Sequence, residues 1–160
     1  MKKLLSLLGL GSADQADGVA RDPVSALEKI YYEALRLAAQ IEAHAQAAPY
    51  PHVAERLRRV AEQKRKTCEE LRQNLSRLGA YVPAAPKLEI RSGHNHWQRM
   101  MRDVTEQSAF AQTLREYAGL LRDEAPEVGE FLDRLVPGEA AHREVLLDLL
   151  MRADPQAHQT

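Results

Sequence analysis

Fifteen residues, Gly79 to Gly93 (GAYVPAAPKLEIRSG), narrow most sharply what this chain can fold into. They lie between two pairs of helical stripes, whereas the break inside each pair is only a few residues long. Pro83 and Pro86 keep the segment from joining either helix. A stretch of this length reaches up to ~50 Å when extended, and a helix of about 28 residues is ~42 Å long. The connection can therefore run the length of a helical bundle, where an up-down-up-down bundle needs only a short turn.

The stripes themselves are well marked. Asp22-Pro23 offers a cap and a first-turn proline, and Ser25-x-x-Glu28 adds a second start signal. From there Val24, Leu27, Tyr31, Ala34, Ala38, Ile41 and Ala45 recur at helical spacing, until Pro49-Tyr50-Pro51 interrupts them. A second helix is predicted from about Pro51 to Leu78, carrying Leu57, Val60, Ala61, Cys68, Leu71 and Leu75 and stopping at Gly79. A third begins near Asn95 with Trp97, Met100, Met101, Val104, Ala111, Leu114, Ala118 and Leu121. A fourth follows Ala125-Pro126 with Val128, Phe131, Leu132, Leu135, Glu139, His142, Leu146 and Leu149. No segment alternates as a strand would. The expected organisation is an N-terminal tail over 1–21, a four-helix bundle over 22–153 and a polar tail over 154–160.

Composition restricts function more than it suggests it. Aromatic residues make up 5% and the formal charge is −1, so no whole-chain field attracts nucleic acid or an acidic membrane. The second helix is rich in Arg and Lys, but Glu55, Glu62, Glu69 and Glu70 interrupt it and no aromatics interleave, which argues against nucleic acid. The acidic fourth helix is a natural neighbour for it. Cys68 is the only cysteine and cannot form an intrachain disulfide, so a cytoplasmic location is expected. Met1 to Leu10 (MKKLLSLLGL) resembles the start of a signal peptide, yet its apolar run is too short for a membrane span. It is read as a flexible or weakly amphipathic tail, with a secretion signal, a surface anchor or a docking peptide for a protein partner as the alternatives.

One constellation carries chemistry. Glu139-Ala140-Ala141-His142 is a Glu-x-x-His pair, which puts a carboxylate and an imidazole on one helical face. Both fall on the apolar stripe of the fourth helix, where a glutamate is costly unless paired or metal-bound. Glu106 precedes Glu139 by 33 residues, and Glu28 precedes Glu62 by 34. Three positions beyond Glu62, where symmetry asks for a second histidine, stands Arg65. Arginine stays protonated and has no lone pair for a metal. Lys64 also falls nearer the centre of its stripe than Glu62, and Glu106 lies on the flank of its own. Pro137-Gly138, just before the motif, predicts a kink. His94-Asn95-His96 reads as a polar cap, and Met100-Met101 as core filler. No nucleophile elbow, phosphate loop or Cys-x-x-Cys motif occurs.

On these residues the chain, from about Asp22 to Ala153, resembles the ferritin-like superfamily, in particular its rubrerythrin-like branch, with an incomplete di-iron ligand set. The resemblance implies an all-α, ferritin-like four-helix bundle with one long crossover between helices two and three. It implies metal ligands at Glu106, Glu139 and His142, with Glu28 and Glu62 completing a second position. Iron or another divalent metal would be the cofactor, and a homodimer the assembly. Arg65 supports the alternative, a metal-free and non-catalytic helical interaction module that has lost the di-iron centre. The expected geometry has Glu139 and His142 pointing inward to meet Glu106, with Arg65 or Lys64 near enough to neutralise them.

Overall fold

A computed structural model describes residues 22–82 and 86–154. The leucine-rich Met1–Leu10 segment, and with it the reading of a docking tail, lies outside these residues. Four α-helices account for most of the described chain: α1 Pro23–Gln46, α2 Pro51–Arg77, α3 His96–Leu121 and α4 Pro126–Arg152. No strand occurs among the described residues. None of the helices is long and apolar enough to cross a membrane.

The helix ends follow from local chemistry. Proline occupies the first turn of α1, α2 and α4, where its missing N–H costs no hydrogen bond. At α3 the Asn95 side chain accepts from the Gln98 backbone N–H at 2.8 Å. Gly79 closes α2 with φ +76°, a conformation that favours glycine. The N–H groups of Gly79 and Ala80 then reach back to the carbonyls of Ser76 and Leu75, both at 3.0 Å, so two otherwise orphaned acceptors are satisfied. Within α4, Pro137 and Gly138 are exposed and the helix continues through them without interruption.

Helices α1 and α2 pack along one another, as do α3 and α4, while α1 also faces α3 and α2 faces α4. Cross-contacts fix the relative order. Lys29 meets Tyr117 and Gln40 meets Asp103, so rising numbers on α1 meet falling numbers on α3. Arg56 with Asp148 and Lys64 with Glu139 show the same reversal between α2 and α4. These two ion pairs join the basic helix to the acidic one. Gly129 brings α4 close to α3: a β-carbon there would sit 3.1 Å from the Ala118 carbonyl oxygen.

The interior is not one continuous apolar core. One cluster gathers Leu27, Ile30, Leu37, Leu71, Leu75, Phe110, Leu114 and Leu132. A second, toward the other end, gathers Ile41, Leu57, Val60, Met100, Val104, Leu146 and Leu149. Between them lie buried polar side chains from all four helices: Gln40, Lys64, Asp103, Gln107, Glu139 and His142. Buried polar groups are tolerated only when they find partners. That belt is the place to look for chemistry.

Candidate functional site

The belt divides into two clusters. The first is built on α2, α3 and α4 around Glu139, which is 1% exposed. Its Oε2 atom accepts from Lys64 Nζ at 2.9 Å, from Gln107 Nε2 at 2.6 Å and from His142 Nδ1 at 3.1 Å. Gln107 Nε2 also donates to the Glu139 carbonyl at 3.0 Å, while its Oε1 accepts from Lys64 Nζ at 2.8 Å. The second ring nitrogen of His142 lies 3.0 Å from the Gln63 amide. Lys64, fully buried, also sits over the Phe110 ring at 4.4 Å from its centroid. Glu139 Oε1 has no hydrogen-bond partner among the described residues.

Electrostatics here is a contest between burial and pairing. Burial pushes the Glu139 carboxyl upward, but the His142 hydrogen bond and the Lys64 charge outweigh it and bring it down to about 2. Burial pulls the Lys64 ammonium below its ordinary value, and the Glu139 carboxylate works against that pull. Cys68, one helical turn from Lys64, is pushed up to about 11 by burial and stays a thiol at neutral pH. A carboxylate held ionised by an enclosed lysine is a poor general acid or base near neutrality.

The second cluster joins α1 to α3 and to the connection before α3. Asp103, fully buried, accepts from Gln40 Nε2 at 2.8 Å and pairs with His44 Nδ1 at 2.7 Å. Gln40 Nε2 also donates to Glu106 Oε2 at 2.6 Å. Glu106 is further met by Arg91 at 3.1 Å and Arg36 at 3.3 Å. Burial would raise its carboxyl, but the Gln40 hydrogen bond and the two guanidinium groups leave it lowered. The Arg91 backbone N–H donates to Gln40 Oε1 at 2.9 Å, which ties the connection to α1.

The five residues expected as metal ligands are thus distributed over different surroundings. Glu139 and His142 stand together in the interior. Glu106 is bonded in the second cluster, and the α3 residue that reaches Glu139 is its neighbour Gln107. One residue turns a helix by about 100°, enough to send adjacent side chains to different partners. Glu28 and Glu62 are exposed. Arg65 faces Glu42 of α1 at 3.2 Å, near the surface, so neutralisation of Glu139 falls to Lys64. Among the described residues, no group of three or more His, Cys, Asp and Glu side chains is arranged to hold a metal ion.

A dinuclear carboxylate centre demands a particular donor set. Such a centre takes carboxylates from all four helices and a histidine from two of them. Here α2 supplies an ammonium and α3 a neutral amide, and the ammonium stands on Glu139 Oε2. The set does not fit two metal ions. Gln40, His44, Asp103 and Gln107 escaped the reading of the sequence. The usable signal was their phase: Leu37, Gln40, Ile41 and His44 share one helical row, and Met100, Asp103, Val104, Gln107, Ala111 and Leu114 another.

No protein-family model matches the chain, and no curated protein matches it.

Proposed function

We propose that this chain is a metal-free, non-catalytic helical module in which a buried lysine holds together a ferritin-like bundle. One observation carries the reading: Lys64 Nζ lies between Glu139 Oε2 and Gln107 Oε1 with no solvent exposure. A fixed positive charge at the centre of the bundle compensates Glu139 and opposes a second cation there. The helix order supports the ferritin-like part. With α1 antiparallel to α2 and α3, helices α2 and α3 run the same way, which supports a lengthwise crossover between them. In the cytoplasm, where we place the chain, the Cys68 thiol remains reduced.

The test is metal analysis of protein purified without chelator, with iron uptake and oxygen consumption followed together. The expected result is far less than one iron per chain and no oxygen consumption above the buffer blank. Stoichiometric iron with oxygen consumption would overturn the reading. The unpartnered Oε1 of Glu139 favours a second reading, in which Glu139 and His142 hold one divalent ion, iron included. That ion would enter only once Lys64 has moved aside, so Lys64→Gln would raise affinity for Fe²⁺ or Zn²⁺.

We further propose that the module works as a homodimer. Leu78 and Tyr81, just beyond the end of α2, are exposed apolar side chains outside the α1–α3 face, and a second copy would cover them. Sedimentation velocity at micromolar protein should give a dimer, and a monomer throughout would refute it.

A further inference from the structure

We propose that the cleft between α1, α3 and residues 87–89 binds single-chain amphipathic carboxylates of the medium-chain fatty acid class. Three observations carry this. The cleft has a volume of about 560 Å³, within the usual range of small-ligand sites. Its floor is apolar, built from buried Ile30 and Phe110 with Leu88 as a wall. Its rim carries Lys29, Arg36 and Lys87 against Glu33 and Glu89, and Lys29 also lies over the Tyr117 ring, so the positive excess is carried chiefly by Lys87. Arg36 is occupied by Glu33 and Glu106, but Lys29 and Lys87 have no ion-pair partner among the described residues.

The chemistry of the ligand follows. A hydrocarbon chain asks no hydrogen bonds of the floor, and burial of each methylene tightens binding up to about fourfold. A carboxylate at the mouth is the counter-charge that Lys29 and Lys87 lack. Phe110 lines the cleft and its ring also lies over Lys64, so this side chain stands between the ligand and the buried polar belt. This site is separate from the one around Glu139 and stands or falls independently of its metal content.

The experiment uses the full chain. Hexanoate, octanoate and decanoate are titrated below their micelle concentrations by calorimetry and by displacement of 1-anilinonaphthalene-8-sulfonate. Affinity should climb with chain length and then level off when the cleft is full. Ala109→Trp, at an exposed position on the cleft edge, should weaken decanoate at least tenfold while helicity is unchanged. Lys87→Glu should weaken decanoate several-fold but leave 1-decanol unaffected, which isolates the charge. Thr105→Trp, placed in the neighbouring groove beside Trp97, should have no effect. The proposal is overturned if the parent binds none of the acids at millimolar concentration. Decanoate affinity unmoved by Ala109→Trp, decanol and decanoate responding alike to Lys87→Glu, or loss of binding in Thr105→Trp would each overturn it too.

Discussion

The two polar clusters of the belt share a fold, a depth and a chemistry of carboxylates and amides, yet they neutralise charge in opposite ways. Around Glu139 the compensating cation comes from inside the bundle, on a lysine with no exposure. Around Glu106 one cation, Arg36, is itself largely buried, and the other, Arg91, arrives from outside, on the connection, and is half-exposed. An enclosed ammonium cannot be replaced by water or salt once removed. A guanidinium reaching in from the surface can. The first cluster should therefore behave as a structural keystone, and the second as an adjustable pin between the connection and α1.

Removing the keystone should have the largest effect. Lys64→Ala leaves Glu139 charged and without its cation, and Glu139→Ala leaves Lys64 charged in the same enclosure. Either should cost ~3–5 kcal/mol in urea unfolding. The double variant Lys64→Met/Glu139→Leu should recover much of that loss, because it removes both buried charges together. A Glu139→Ala protein as stable as the parent would break the comparison at its strongest point.

Acid tests the same pair without mutation. Glu139 is lowered from 4.5 to about 2 on folding, so the unfolded chain takes up this proton first as pH falls. Its contribution is complete above the unfolded value and is lost between about 4.5 and about 2. The loss amounts to ~3 kcal/mol. Glu106 is shifted in the same direction and adds to the acid loss in the same sense. In Glu139→Gln the unfolding midpoint should vary less with pH across that window. An unchanged slope would show that Glu139 is not the group being titrated.

Next in size is Asp103→Ala. It strands His44 Nδ1, whereas Gln40 Nε2 keeps its bond to Glu106. One buried donor left without a partner costs ~1–3 kcal/mol. A loss equal to that of Lys64→Ala would mean that the two clusters are keystones alike.

How far the sequence told these clusters apart depends on the kind of signal. Helix boundaries were readable because Pro23, Pro51, Asn95, Gly79 and Pro126 act locally, through backbone geometry that no tertiary contact reverses. The inward orientation of Glu139 and His142, and the central place of Lys64, followed from helical phase. Partner identity did not. Gln107 and Glu106 are adjacent in sequence, and a glutamate draws the eye in a search for ligands where a glutamine does not. The row through Met100, Asp103, Val104 and Gln107 held the answer, but only for a reader willing to count polar residues as members of a core stripe. The pin at Arg91 was out of reach altogether, since it depends on where a connection lies across two helices.

Arg91→Ala should have the smallest effect, and it sharpens the comparison most finely. The side chain is 48% exposed and meets Glu106 at 3.1 Å, so solvent and salt already weaken the pair. Glu106 keeps Arg36 and Gln40, and the residue 91 backbone N–H still donates to Gln40 Oε1. The expected loss is therefore ~0–1 kcal/mol, fading toward zero in 1 M salt. Lys64→Ala should cost nearly the same at low and high salt, because ions do not reach an enclosed site. Measuring both variants at two salt concentrations separates the clusters on one axis. If Arg91→Ala proves as costly and as salt-insensitive as Lys64→Ala, the connection is part of the keystone and not an adjustable pin.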